Sequence, residues 1–269
     1  MADSLSFSGS IPKMYDEILG PAYFIPYAIE TAGRAKAFQP LSILEVACGT
    51  GIVTKELLKN IPKAIITATD ISADMLAIAK EKLSYSKSII WKEANAMELP
   101  FFNEEFDLVV CQFGAMFFQD KQKAFSEMNR VLKKTGKFIF STWDKLEANP
   151  LAGAGRKILL DYFDGNPPAS LKTAFSMNDK NEILSLVQSA FFSCVNYENI
   201  KLDCIAESAE LLALAQVDGS LVSNFIREKD PNAIPVLRNK IAETIAEKFG
   251  NHPAKSIMEA IIVTAEKIK

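Results

Sequence analysis

The sequence predicts an α/β protein, a doubly wound and mostly parallel sheet with helices on both faces. Three observations predict it. Short apolar runs alternate with segments of helical period between residues 41 and 142. The stretch Leu44-Glu45-Val46-Ala47-Cys48-Gly49-Thr50-Gly51 stands where one such run hands over to a helix. Asp70 closes the next run, about twenty residues past the glycines, the spacing at which a carboxylate can bond a ribose.

Composition narrows the options. Of 269 residues, 49% are hydrophobic, enough for a sizeable core, and the net charge of −3 offers no general attraction to nucleic acid. Residues 1–20 show no basic start followed by an apolar core, so no signal peptide is expected. The longest apolar run, 108–118, is too short to span a bilayer, and no transmembrane segment is expected. Cys48, Cys111, Cys194 and Cys204 are too scattered for a disulfide framework or a zinc site, and there is a single histidine. A reduced, cytoplasmic protein without a metal centre is the expectation. Nothing in the sequence sets an oligomeric state.

Residues 1–10 are small and polar and are expected to be disordered. Helical spacing at 13–19 and 22–38, broken by Pro21 and Pro26, predicts two helices leading into the sheet. Strand one is 42–47, and a helix follows from Ile52. Strand two is 64–69, after Pro62. Ser72 is a good N-cap for a helix over 73–83. Strand three is 88–92. Strand four, 107–112, carries the apolar run Leu108 to Cys111, as expected of a strand buried on both faces. A helix over 121–134 has a basic last turn, Gly136 ends it, and strand five is 137–142. Beyond Trp143 the pattern loosens. There is a helical piece at 156–163 and an Asn-Pro-Pro turn at 166–168. Asp179 and Glu182 form a capping box for a helix to 191. A long strand is predicted at 193–203, helices from 207 to 249, and an apolar strand at 257–268. No linker divides the chain, so residues 1–269 read as a single domain.

A glycine turn followed by an acid argues for a nucleoside cofactor without choosing one, since a nicotinamide enzyme would show the same acid. The turn has no Gly-x-Gly-x-x-Gly and no Gly-Lys-Ser/Thr ending. It carries Glu45, which would repel a pyrophosphate but suits a cationic amine or sulfonium. The charge logic favours S-adenosylmethionine.

At this point the chain resembles the class I S-adenosylmethionine-dependent methyltransferases, in the small-molecule branch that includes quinone-biosynthesis enzymes. The matching segments are 44–51, Thr69-Asp70-Ile71-Ser72 with Met75-Leu76, 94–101, 106–110, and 127–133 leading to Gly136. The resemblance implies a Rossmann-like sheet of seven strands with an antiparallel last strand beside strand five. It implies a cofactor-binding core at about 40–143 and helical lid or substrate elements at about 11–38, 144–177 and 205–253. Glu45 and the backbone of Ala47, Cys48, Gly49 and Gly51 would hold the methionine part of the cofactor. Asp70 would take the ribose, Ile71 and Met75 the adenine, and Asn95 and Ala96 its exocyclic amine. Cys111, Gln112 and Phe113 would flank the transferring methyl. Ala47 departs from the usual first glycine and Asn95 from the common aspartate.

The implied function is methyl transfer to a small-molecule acceptor at O, C or N, leaving S-adenosylhomocysteine. A catalytically inactive protein of the same fold, acting as a binder or partner, is the alternative. Apolar residues at Leu151, Ile158, Leu159, Tyr162, Leu211, Leu212, Leu214, Leu221 and Phe225 either line an apolar pocket or pack the lid helices together. Tyr15, Tyr27 and His252 are the candidates for touching the acceptor or acting as a base. No Asn/Asp-Pro-Pro-aromatic motif follows strand four, which disfavours a DNA base-amino methyltransferase.

Overall fold

A computed structural model describes residues 11–164 and 166–268; the disorder expected for residues 1–10 concerns positions outside them. The chain begins with α1 (Ile11–Met14), a π-helical stretch (Tyr15–Phe24) and α2 (Ile25–Ala37), and the three run on without a break. The two helices expected from the proline positions are therefore one helical run. Pro21 lies inside the π-helical stretch and Pro26 in the first turn of α2, and the helical run continues through both.

The alternating part follows as β1 (Ser42–Val46), α3 (Ile52–Asn60), β2 (Ile65–Asp70), α4 (Ala73–Lys82), β3 (Ile89–Glu93), β4 (Phe106–Gln112), α5 (Lys121–Val131) and β5 (Leu132–Trp143). Ser72 caps α4 by accepting from the Met75 N–H. One boundary differs from expectation. α5 stops at Val131, because Leu132 already pairs with Phe106. The next pair in register is Leu108 with Lys137, so residues 133–136 bulge out opposite Asp107. Gly136 belongs to that bulge and is not a helix stop.

The rest comprises α6 (Pro150–Tyr162), α7 (Ser170–Thr173), α8 (Lys180–Ser189), β6 (Phe192–Ala206), α9 (Ala209–Val217), α10 (Val222–Lys229), α11 (Ala233–Phe249) and β7 (Ala254–Lys267). Asp179 caps α8, as read from the sequence. The strands form one sheet in the order β3-β2-β1-β4-β5-β7-β6. The first five are parallel, and β7 runs antiparallel to both β5 and β6. The order reverses between β1 and β4, and a crevice at such a switch point, outside the strands' carboxyl ends, is where open α/β sheets bind ligands. Val46, Asp70, Gln112 and Trp143 all end strands at that edge.

Buried side chains of the sheet and of the C-terminal helices form one contiguous core. Leu151, Leu159 and Leu212 are fully or almost fully buried in it and Ile158 is buried, so they serve helix packing. Tyr162, Leu211, Leu214, Leu221 and Phe225 are half-buried. No helix among the described residues is long and apolar enough to cross a membrane.

Candidate active site

The turn after β1 is built from left-handed backbone. Ala47, Gly49 and Gly51 have φ of +56°, +55° and +77°. Gly51 answers to packing, since a Cβ there would meet the Ala79 Cβ at 3.1 Å. Gly49 answers to no neighbour: a Cβ there would meet nothing within 4 Å, so its backbone faces open space. Ala47 is an L-residue in a conformation that costs about 1–2 kcal/mol. Its methyl lies 2.6 Å from where a Cβ on Gly114 would be, so a glycine at 114 makes the room that alanine at 47 needs.

Two acids meet at this turn. The Asp70 carboxylate accepts from the Gly49 N–H at 2.8 Å and from the Ser72 N–H at 2.8 Å, bridging the ends of β1 and β2. Burial raises its pKa, while those backbone bonds pull the other way. Glu45 is deeper, 2% exposed, and accepts from the Thr54 hydroxyl at 2.6 Å. Burial pushes its pKa up to about 8 against that bond, with the charge of Asp70 adding to the rise. Burial therefore works against the negative lip expected at this turn and favours the protonated form of Glu45.

A cavity of about 30 Å³ is lined by Tyr15, Phe24, Glu45, Ala47, Cys48, Gly49, Thr50, Ile52, Val53 and Gln112. Its roof is the π-helical stretch, where Tyr15 and Phe24 stack with centroids 4.5 Å apart. Asp16 latches that stretch down: its carboxylate accepts from the Thr50 hydroxyl at 2.6 Å and from the Lys82 ammonium. Gln112 also ties it, donating to the Phe24 carbonyl and accepting from the Thr31 hydroxyl.

The other expected site residues divide. Ile71 is 65% exposed beside Asp70, open to an adenine. Met75 is buried on α4 and is not. Asn95 spends its side-chain oxygen on the Met97 N–H at 2.9 Å, and Ala96 is buried next to it. Cys48 reaches the cavity, with its thiol pKa pushed well up by burial and the nearby acids. Cys111 is fully buried and does not line it. Phe113 turns away to stack on Trp143 at 3.7 Å.

Of the base candidates, only Tyr15 stands at the cavity, and burial beside Asp70 and Asp16 raises its pKa, which makes it a poor base. Tyr27 is committed elsewhere: its buried hydroxyl donates toward the Met258 and Ile200 carbonyls on β7 and β6. His252 is a surface residue, 68% exposed and paired with Glu210. The sequence reading missed Phe24 and Asp16, and it gave Thr50 only as part of the 47–51 backbone. The position of Trp143 at the end of a predicted strand was a usable signal for the aromatic wall behind them.

Comparison with known proteins agrees with this picture. Residues 44–140 match the methyltransferase domain family. A demethylmenaquinone methyltransferase of Staphylococcus aureus is 40% identical over 137 residues, 48% of this chain and 56% of that protein. A malonyl-acyl-carrier-protein O-methyltransferase of Priestia megaterium is 32% identical over 106 residues, 39% of this chain and 38% of that protein. The chain thus spans about half the length of the curated relatives it matches, or less. A solved SAM-dependent methyltransferase from Aquifex aeolicus superposes with a TM-score of 0.60 at 14% identity, covering 98% of this chain and 100% of that one. The fold is that of the class I methyltransferases. Over residues 44–140 the resemblance read from the sequence is borne out, down to the quinone-biosynthesis branch among its relatives.

Proposed function

We propose that this chain transfers a methyl group from S-adenosylmethionine to O, C or N of a small apolar or aromatic acceptor. The observation that carries the reading is the Asp70 carboxylate. It is held between the open Gly49 backbone and the exposed Ile71, inside the segment that matches a methyltransferase domain. These residues fit the cofactor. Asp70 is the group for its ribose hydroxyls, Ile71 the apolar face for its adenine with Asn95 and Ala96 at the rim, and residues 45–51 the site of its methionine part.

When bound, the cofactor supplies a methyl activated on a sulfonium, and the protein supplies placement and exclusion of water. A cavity of about 30 Å³ is far smaller than a nucleoside, so Tyr15 and Phe24 withdraw when the cofactor enters, and the Asp16 latch releases with them. The core at 40–143 holds the cofactor in this reading, and the segments at 11–38, 144–177 and 205–253 cover it and select the acceptor. The reading includes a cytoplasmic location, which the free buried thiols of Cys48, Cys111 and Cys204 support.

Two observations favour a second reading, a binding or partner protein of the same fold without catalysis: the closed roof and the left-handed alanine at a position where the family usually has glycine. Titration by calorimetry tests the first reading against a nicotinamide enzyme, with S-adenosylhomocysteine expected to bind and NADH not. Transfer of a labelled methyl into a metabolite extract is then expected, and binding without transfer would favour the second reading.

A further inference from the structure

A row of rings leads away from the cofactor cavity. Phe24, which lines the cavity, lies 6.0 Å from Trp143, and Trp143 lies 6.3 Å from Phe175. The row ends on a charge, with the Arg156 guanidinium 4.8 Å above the Phe175 ring. Arg156 is half-buried on α6, and one of its N–H groups is given to the Leu171 carbonyl. Among the described residues no carboxylate lies within ion-pair distance of it.

The polar groups around Arg156 are also incomplete. Tyr23, the neighbour of Phe24 in sequence, lies within electrostatic reach of Arg156. Its hydroxyl accepts from the Gln216 amide at 2.9 Å and keeps a proton to give. The buried Gln216 Oε1 has no partner among the described residues and lies against Gly155, next to Arg156 in the chain. Burial alone pulls the guanidinium pKa down to about 10, with only Tyr23 opposing it. A half-buried cation without an anion is a group that a ligand carboxylate can satisfy, and such perturbed charges mark candidate functional sites.

Resting on the proposed methyl transfer, we propose that Arg156, with Tyr23 beside it, is the anion-binding end of the acceptor site, and that the acceptor is an apolar or aromatic molecule bearing a carboxylate. Its body lies along Trp143 and Phe175, and its reactive atom faces the cofactor cavity from the side that Phe24 leaves when it withdraws. Arg156 is a binding residue here. A role confined to tying α6 to residue 171 would use one of its five N–H groups and would be indifferent to ligand charge.

The test measures binding of 1-naphthoate, 1-naphthamide, octanoate and octanamide by calorimetry to the full chain saturated with S-adenosylhomocysteine. At least one acid should bind about tenfold to a hundredfold tighter than its own amide, the ratio of a charged hydrogen-bonded pair. Arg156→Gln should bring acid and amide to within about twofold while leaving S-adenosylhomocysteine affinity unchanged, and Arg156→Lys should restore part of the preference. The proposal is overturned if amides bind as well as acids, if neither acid binds the wild-type protein, or if Arg156→Gln keeps the preference. Should Arg156→Gln fail to fold, the wild-type ratio and Arg156→Lys still decide. Failure of S-adenosylhomocysteine to bind the wild-type protein, with the acid preference intact, would instead sink the methyl-transfer reading.

Discussion

Asp107, near the start of β4, and Asp70, at the end of β2, belong to the same sheet and carry the same chemical group, yet their surroundings pull them in opposite directions. Asp107 is half-buried at the amino edge. It accepts from the Leu41 and Ser42 N–H groups, from the Ser42 hydroxyl and from the Lys133 ammonium at 2.8 Å. Burial works against its charge, but Lys133 and Ser42 win and draw the pKa down to about 2. Asp70 and Glu45 sit at the carboxyl edge without a cation in hydrogen-bond contact among the described residues, and burial lifts both. One edge spends its acid on holding strands together. The other keeps its acids underneath a roof, in a state that a ligand can improve.

Substitutions should separate the two edges. Asp70→Ala should weaken S-adenosylhomocysteine binding by about 1–3 kcal/mol, read by calorimetry on a folded mutant. Unchanged affinity would break the comparison at its functional end. Asp107→Ala should cost about 1–2 kcal/mol in urea unfolding, for the charged hydrogen bonds lost, and leave cofactor affinity alone.

Acidity sharpens the contrast further. The folded pKa of Asp107 lies below its ordinary 3.8, so its contribution to stability is present above that value and lost as pH falls toward about 2. The folded pKa of Glu45 lies above its ordinary 4.5, so its contribution is present below that value and lost as pH rises toward about 8. Glu45→Gln should flatten the alkaline limb of the stability profile and spare the acid one. Cofactor binding should release a proton in the wild-type protein near pH 7, visible as a buffer-dependent heat, and release none in Glu45→Gln. The smallest effect is expected at His252, where alanine should change stability by no more than about 0.5 kcal/mol and leave methyl transfer intact.

Most of the alternating half was legible because each element there carries two agreeing signals. Strand two is an apolar run that ends in an acid, and the helix after it opens on a serine cap; both stand where the sequence put them, within a residue. The misplaced end of α5 shows what local signals miss. A basic turn and a following glycine look like a helix stop, but pairing of Leu132 with Phe106 across the sheet decides the boundary. Prolines misled in the same way at the N-terminus, since a π-helical stretch absorbs one and a first helical turn the other. At the turn, Glu45, Gly49 and Asp70 stand where strand end, turn and spacing put them, whereas Ile71 came only with the resemblance, since its spacing alone reads as core. The occupied hydroxyl of Tyr27, the inward turn of Phe113 and the isolated charge of Arg156 depend on which lid element lies over them, and no spacing rule encodes that.

Ala47 and Gly114 share room for a single methyl group. Residues 67 positions apart are thereby bound to one order of change. Glycine at position 47 removes the clash at 2.6 Å and leaves only the Cys111 Sγ, 3.0 Å from the same point, to give way to a side chain at 114, whereas the reverse order meets both. Sequence drift at this corner of the crevice is therefore ordered, with the strained alanine as the nearer of two groups that keep the second position small.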